Sequence, residues 1–191
     1  MSKFDYSKSV AKHELGHWFL AKEFGFNEDY IKIKVITYHG PLRFYHEAYA
    51  KSFPKGDLPN IDSVYKFLTN RISCLQAGVI SEFYNAENGE VDIGSVEKAF
   101  KITAQNDIKQ IEELLTIARG IKFSGIITEE DELVQKQIII DECWDVALTI
   151  IKQNFKLIDL ISDQMAERIV CEDSQTAKFT KQDLISFMQQ N

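Results

Sequence analysis

Cysteine, histidine, basic charge and long apolar runs are all scarce in this chain of 191 residues, and each shortage excludes something. Cys74, Cys143 and Cys171 are odd in number and lack metal-ligand spacing, which rules out a zinc ribbon or a disulfide framework. Buried, reduced thiols are the expectation for all three. No apolar stretch of signal-peptide type opens the sequence, and no run approaches ~18 apolar residues. A soluble, cytoplasmic chain without membrane insertion is therefore expected. Lys and Arg total 22 against 29 Asp and Glu, giving a net charge of −7, which speaks against nucleic acid or an anionic membrane as partner. Repeats and low-complexity tracts are missing as well. What remains is 45% hydrophobic, enough to bury a real core.

Of only four histidines, two stand in His13-Glu14-Leu15-Gly16-His17. On a helix, residues four apart project from one face with Cβ atoms about 5–6 Å apart, so both imidazoles can reach one metal ion. The glutamate between them sits beside such an ion without binding it, placed to take a proton from water there. The condition is that the motif be helical. Val10, Ala11, Leu15, Trp18, Phe19 and Ala21 supply the apolar stripe for a helix capped by Asp5 or Ser7 and ending at Gly25.

Tyr30–Thr37 alternates Ile31, Ile33 and Val35 with Lys32, Lys34 and Ile36, a strand with one wet face. Gly40-Pro41 turns the chain into a second strand over Leu42–Phe53, followed by a loop holding Pro54, Gly56 and Pro59. Ile61–Tyr84 has helical spacing, Asn85–Gly94 reads as surface loop, and the pattern is helical from Ser95 to the end. One segment closes at Gly120, one runs from a Thr128/Asp131 cap to about Asn154, another covers Lys156–Val170, and Thr180 with Asp183 caps a last short helix. The expected fold is α+β and mostly α-helical. A zincin-like metal helix with a small β-hairpin or sheet fills 1–120, and an antiparallel helical portion fills 121–191 of a single domain.

Catalytic zinc usually takes three protein ligands and keeps one position open. Spacing alone leaves the third ligand undecided among 29 carboxylates. The His-Glu-Leu-Gly-His motif, however, resembles the HEAGH of the peptidase domain in FtsH-type ATP-dependent zinc proteases. Leu75-Gln76-Ala77-Gly78-Val79-Ile80-Ser81-Glu82 resembles that family's L-x-G-G-R-x-A-E helix. Thr103-Ala104-Gln105-Asn106-Asp107-Ile108 with Ala118-Arg119 resembles its T-G-A-x-N-D-[LI]…A-R segment, and the strand after the metal helix and the closing helices follow in the same order. The resemblance implies Zn²⁺ held by His13, His17 and Asp107, with Glu14 as catalytic base and Glu82 as a second carboxylate orienting a histidine or as an alternative ligand. It implies a zinc-dependent endopeptidase that cuts unfolded or flexible polypeptide, paired along an edge strand near residues 42–50. Val79 stands in place of the family's Arg, Ile102-Thr103 in place of Thr-Gly, and Leu15 in place of Ala. No G-x-x-x-x-G-K-[ST] loop is present, so the proteolytic half alone is matched. A homo-oligomer or a separate ATPase partner is what the resemblance allows.

Blander readings stand beside these. His13 and His17 could face solvent, Asp107 could cap a helix starting at Ile108, and Glu82 could be a solvated helix carboxylate. His39 and His46 read as surface residues, and Trp18, Trp144 and Phe155 as core. The alternative function is a catalytically weak, protease-like binding or regulatory module that keeps the zinc site.

Overall fold

The computed structural model describes residues 1–37, 44–125, 128–172 and 175–189. His39, the Gly40-Pro41 turn and the expected strand start at Leu42 lie outside them. The chain is α+β and mostly helical, as expected, with a three-stranded antiparallel sheet and a two-stranded ribbon.

The metal-motif helix, α1, spans Lys3–Glu23 and starts earlier than the Asp5 or Ser7 cap anticipated. Ser2 is its cap: Ser2 Oγ accepts the Asp5 N–H at 3.0 Å, and Asp5 Oδ2 accepts the Ser2 N–H at 3.0 Å. Asp5 thus belongs to the capping box, three residues inside. The helix stops at Gly25, whose φ of +68° is costly for a residue with a Cβ. Strands β1 (Asn27–Thr37) and β2 (Phe44–Phe53) pair antiparallel, with Val35 opposite His46 and Ile33 opposite Ala48. Ile31, Ile33 and Val35 turn inward onto α1 and are at most 1% exposed.

Helix α2 (Ile61–Phe83) follows, capped by Asn60, whose side chain accepts the Ser63 N–H at 2.9 Å. A short ribbon follows, β3 (Tyr84–Asn85) with β4 (Glu90–Val91), so Tyr84, expected to end the helix, opens a strand, and the Asn85–Gly94 stretch read as loop holds the rest of the ribbon. Two helices occupy the segment expected to close at Gly120: α3 (Ile93–Ile102) and α4 (Gln105–Lys122), with Thr103 and Ala104 between them.

Two further expectations need correction. Residues 128–170 form one helix, α5 (Glu129–Cys171), of 43 residues with no break at Asn154. The Asn154 side-chain amide donates to the Ile150 carbonyl at 2.8 Å, and Phe155 is buried in the core, so helical packing continues through the polar Gln153-Asn154 pair. The Thr128/Asp131 box caps it as expected. The chain is also not helical to its end, because β5 (Ala177–Phe179) adds to β1 and makes the sheet order β2-β1-β5. Helix α6 (Lys181–Gln189) then follows its Thr180/Asp183 cap.

The main core joins the buried faces of α1, α2 and α5 to β1 and β5, and Trp18, Ile151, Ile158 and Phe179 lie in it. Trp18 is 1% exposed, as core packing requires. Cys74 and Cys143 are buried free thiols, and burial pushes them up to about 12 and about 11. Cys171 corrects the expectation, being exposed at the last residue of α5. Among the described residues no helix is long and apolar enough to cross a membrane.

Unbroken α5 makes Lys156→Pro a clean backbone test, because Lys156 is exposed and its side chain contributes little. In mid-helix, proline removes one hydrogen bond and clashes with the preceding turn, so denaturant unfolding is expected to lose about 3 kcal/mol or more. At the first turn of a separate helix proline would be tolerated. An unchanged midpoint would contradict a continuous α5.

Candidate metal centre

His13 and His17 lie one turn apart on α1, their rings 4.8 Å apart and nearly perpendicular. Asp107, the third residue of α4, brings its carboxylate between them. Its Oδ2 is 3.3 Å from His13 Nε2 and 3.5 Å from His17 Nε2. These three side chains can offer one ligand atom each, all within 4.8 Å of one another, and the group could hold a metal ion. Asp107 does not cap a helix at Ile108. The helix begins three residues earlier, at Gln105, its cap position is Ala104, and no side chain caps it. An acidic residue in an uncapped first turn sits in the favourable field of the helix N-terminus.

The other ring nitrogens are committed elsewhere. His13 Nδ1 donates to Glu82 Oε2 at 3.0 Å, and Ser9 Oγ donates to Glu82 Oε1 at 2.8 Å. His17 Nδ1 donates to the Cys74 carbonyl at 2.7 Å. Both rings are thereby locked with Nε2 toward the shared space, the arrangement by which outer partners orient metal-binding histidines. Glu82 is thus neither a solvated carboxylate nor within the triad.

Close helix packing makes this possible. A Cβ at Gly78 of α2 would lie 2.6 Å from His17 Nε2 and 2.7 Å from His13 Nε2, so the two imidazoles occupy the space a side chain would take. A Cβ at Gly16 would meet the Ala77 carbonyl oxygen at 2.3 Å. Only glycine at both positions lets α1 lie this close to α2.

Electrostatics match a cation. Burial opposes charge on His13, but hydrogen bonds to Asp107 and Glu82 outweigh it and hold its pKa well above the ordinary histidine value. His17 is likewise raised, burial being overcome by Asp107. Burial pushes the Asp107 carboxyl up, yet the two histidines draw it well below the usual carboxylate range. Glu14 is 5% exposed, and burial raises its pKa despite the neighbouring imidazoles. Its carboxylate takes a backbone hydrogen bond from Ala50 on β2, while Oε2 has no partner among the described residues. A carboxylate that is buried, raised and one oxygen short of a partner is suited to accept a proton.

The centre opens into a cleft of about 340 Å³, lined on one side by Ala48, Ala50 and Ser52 of β2. β2 pairs with β1 on one edge only, leaving its other edge free among the described residues. His46, read as a surface residue, instead lines the cleft and shares a 2.8 Å hydrogen bond between its Nδ1 and the Tyr6 hydroxyl. The signal was available. His46 stands opposite Val35, which faces the core, so strand alternation turns it inward. Neither Tyr6 nor Arg71, which also lines the cleft, was marked by the sequence motif.

The fit of a metal rests on the donor set itself: two oriented imidazoles and one carboxylate, with the histidine pKa values raised so that protons would compete with an ion. Metal uptake must therefore expel protons, and apparent affinity should fall as pH drops through the raised histidine values. Calorimetric zinc titration in buffers of different ionisation enthalpy checks this, with more protons released at lower pH. Gly78→Ala should weaken zinc binding by about tenfold or more while helical circular dichroism is kept, because the added methyl displaces both rings. Undiminished affinity would mean the rings do not bind where they stand. No family model matches this chain, and no curated protein matches it.

Proposed function

We propose that this chain is a zinc-dependent endopeptidase acting on unfolded or flexible polypeptide, of the type its motifs resemble in FtsH-type proteases. The observation that carries the reading is Glu14: a buried, proton-hungry carboxylate beside the His13–His17–Asp107 group, directly under a free strand edge. A site built only to hold a metal has no need of it. His13, His17 and Asp107 would hold the ion, and Glu82 and the Cys74 carbonyl would keep the rings aimed. A divalent zinc ion there supplies Lewis acidity, acidifying a water and polarising the scissile carbonyl.

The chain's own residues do the rest. An extended peptide pairs with the free edge of β2 through main-chain hydrogen bonds, which needs an unfolded segment. The Ala50 N–H fixes one side of the Glu14 carboxylate, leaving Oε2 to take the water proton and return it to the leaving amine. Helix α4 and the loop before it close the opposite wall with Thr103, Ala104 and Asn106. The cleft admits a strand and has no room for a folded domain, so compact substrates need unfolding by a separate ATPase partner.

Glu14→Gln keeps the shape and removes the proton acceptor. Cleavage of an unstructured casein-like substrate should fall by about 10²–10⁴-fold with zinc still bound. Asp107→Ala should lose the zinc itself, and a stable folded domain should stay intact with the native chain. Equal turnover by native and Glu14→Gln chains would retire the enzyme and leave the binding-module alternative.

A further inference from the structure

The cleft carries a charge that the metal centre does not use. The cleft follows β2 from His46, beside Tyr6, past Ala50 at Glu14, to Ser52. Arg71 of α2 and Gln110 of α4 also line the cleft. Arg71 lies one turn before Cys74, whose carbonyl anchors His17, so it leaves α2 about 4.5 Å along the axis from that anchor. Arg71 is half-buried and has no hydrogen-bond or ion-pair partner among the described residues.

The cleft's own carboxylates do not neutralise it. They are Glu14, Glu82 and Asp107, all gathered at the metal centre: Glu82 is held by Ser9 and His13, Asp107 by both histidines, and Glu14 by Ala50. A guanidinium stays charged at any physiological pH, and its planar donors match a carboxylate in two parallel hydrogen bonds. In a chain of net charge −7, an arginine left without a counter-ion in the wall of the cleft goes against the general balance.

We propose that Arg71 binds a substrate carboxylate, either an acidic side chain or the terminal carboxylate of a chain, on the His17 side of the scissile bond. This rests on the endopeptidase reading for its meaning but concerns a separate group. A peptide paired on β2 advances about 3.3 Å per residue, and Ser52 is two residues beyond Ala50. The recognised carboxylate therefore belongs roughly two or three residues from the bond cut. Arg71 is a specificity-determining residue and takes no part in proton transfer.

The test uses zinc-loaded Glu14→Gln chain and fluorescent, unstructured peptides alike except for one Glu, Gln or Lys stepped along them, plus a matched pair ending in acid or amide. Anisotropy should show one Glu position, or the free acid terminus, binding about tenfold tighter than its neutral counterpart. Which of the two does so identifies the source of the carboxylate. Arg71→Gln should bring that ratio to about one, and Arg71→Glu should reverse it toward Lys. Equal binding of acidic and neutral peptides everywhere, or a preference that survives Arg71→Gln, overturns the inference. Native-chain cleavage of the same peptides separates the two claims. Cleavage without acid preference leaves the peptidase standing and Arg71 without this role, whereas Arg71-dependent binding without cleavage keeps the carboxylate site and removes the enzyme.

Discussion

Where α1 crosses α2 the two backbones nearly touch, because Gly16 and Gly78 leave no Cβ between them. The consequence is chemical as much as mechanical. The volume vacated at Gly78 is filled by the imidazoles of His13 and His17, which are thereby pressed against α2 and caught by its hydrogen-bond acceptors, the Cys74 carbonyl and Glu82. Were the helices a methyl group further apart, the rings would have free rotation and either nitrogen could face the cleft. The surrounding core of Trp18, Ile80, Ile151 and Ile158 holds this crossing in place, so burial energy from one side of α1 is spent on orientation at the other.

Around that crossing the charges are arranged with opposite purposes. Asp107 is drawn far below its ordinary range by the two histidines, whereas Glu14, one residue from His13, is raised by burial. Two carboxylates whose proton affinities are pushed apart thus share one small space, as the proposed acid–base chemistry would require. Strand β2 ties this site to the cleft wall. The same strand gives its Ala50 N–H to Glu14, its His46 to Tyr6, and a free edge to the cleft.

Helix α1, the β1–β2 hairpin, α2 and the Thr128/Asp131 and Thr180/Asp183 caps were legible in the chain, because each depends on neighbours within a few residues. Asp107 reached the site reading only through resemblance to a family, since nothing local distinguishes it among 29 carboxylates. The break placed near Asn154 came from polar residues that a long helix tolerates when the turns on both sides are anchored in the core, as Ile151, Phe155 and Ile158 are. Strand β5 is three residues long, too short for alternation to register, and exists because β1 offers it an edge. His46 was misplaced for a different reason. Its inward direction follows from standing opposite Val35, and without that cross-strand register a histidine defaults to the surface.

By itself, then, the order of residues determined that two imidazoles and a carboxylate share one helix turn, since a helical period of 3.6 needs no information from elsewhere. Tertiary structure alone decided which nitrogen each ring presents, that Asp107 lies 3.3 and 3.5 Å from them, and that Glu14 keeps an unpartnered oxygen under a strand edge. Those properties depend on residues 57 to 94 positions apart meeting across packed helices. Distances of that kind are set by how the whole core packs, and no local pattern encodes them.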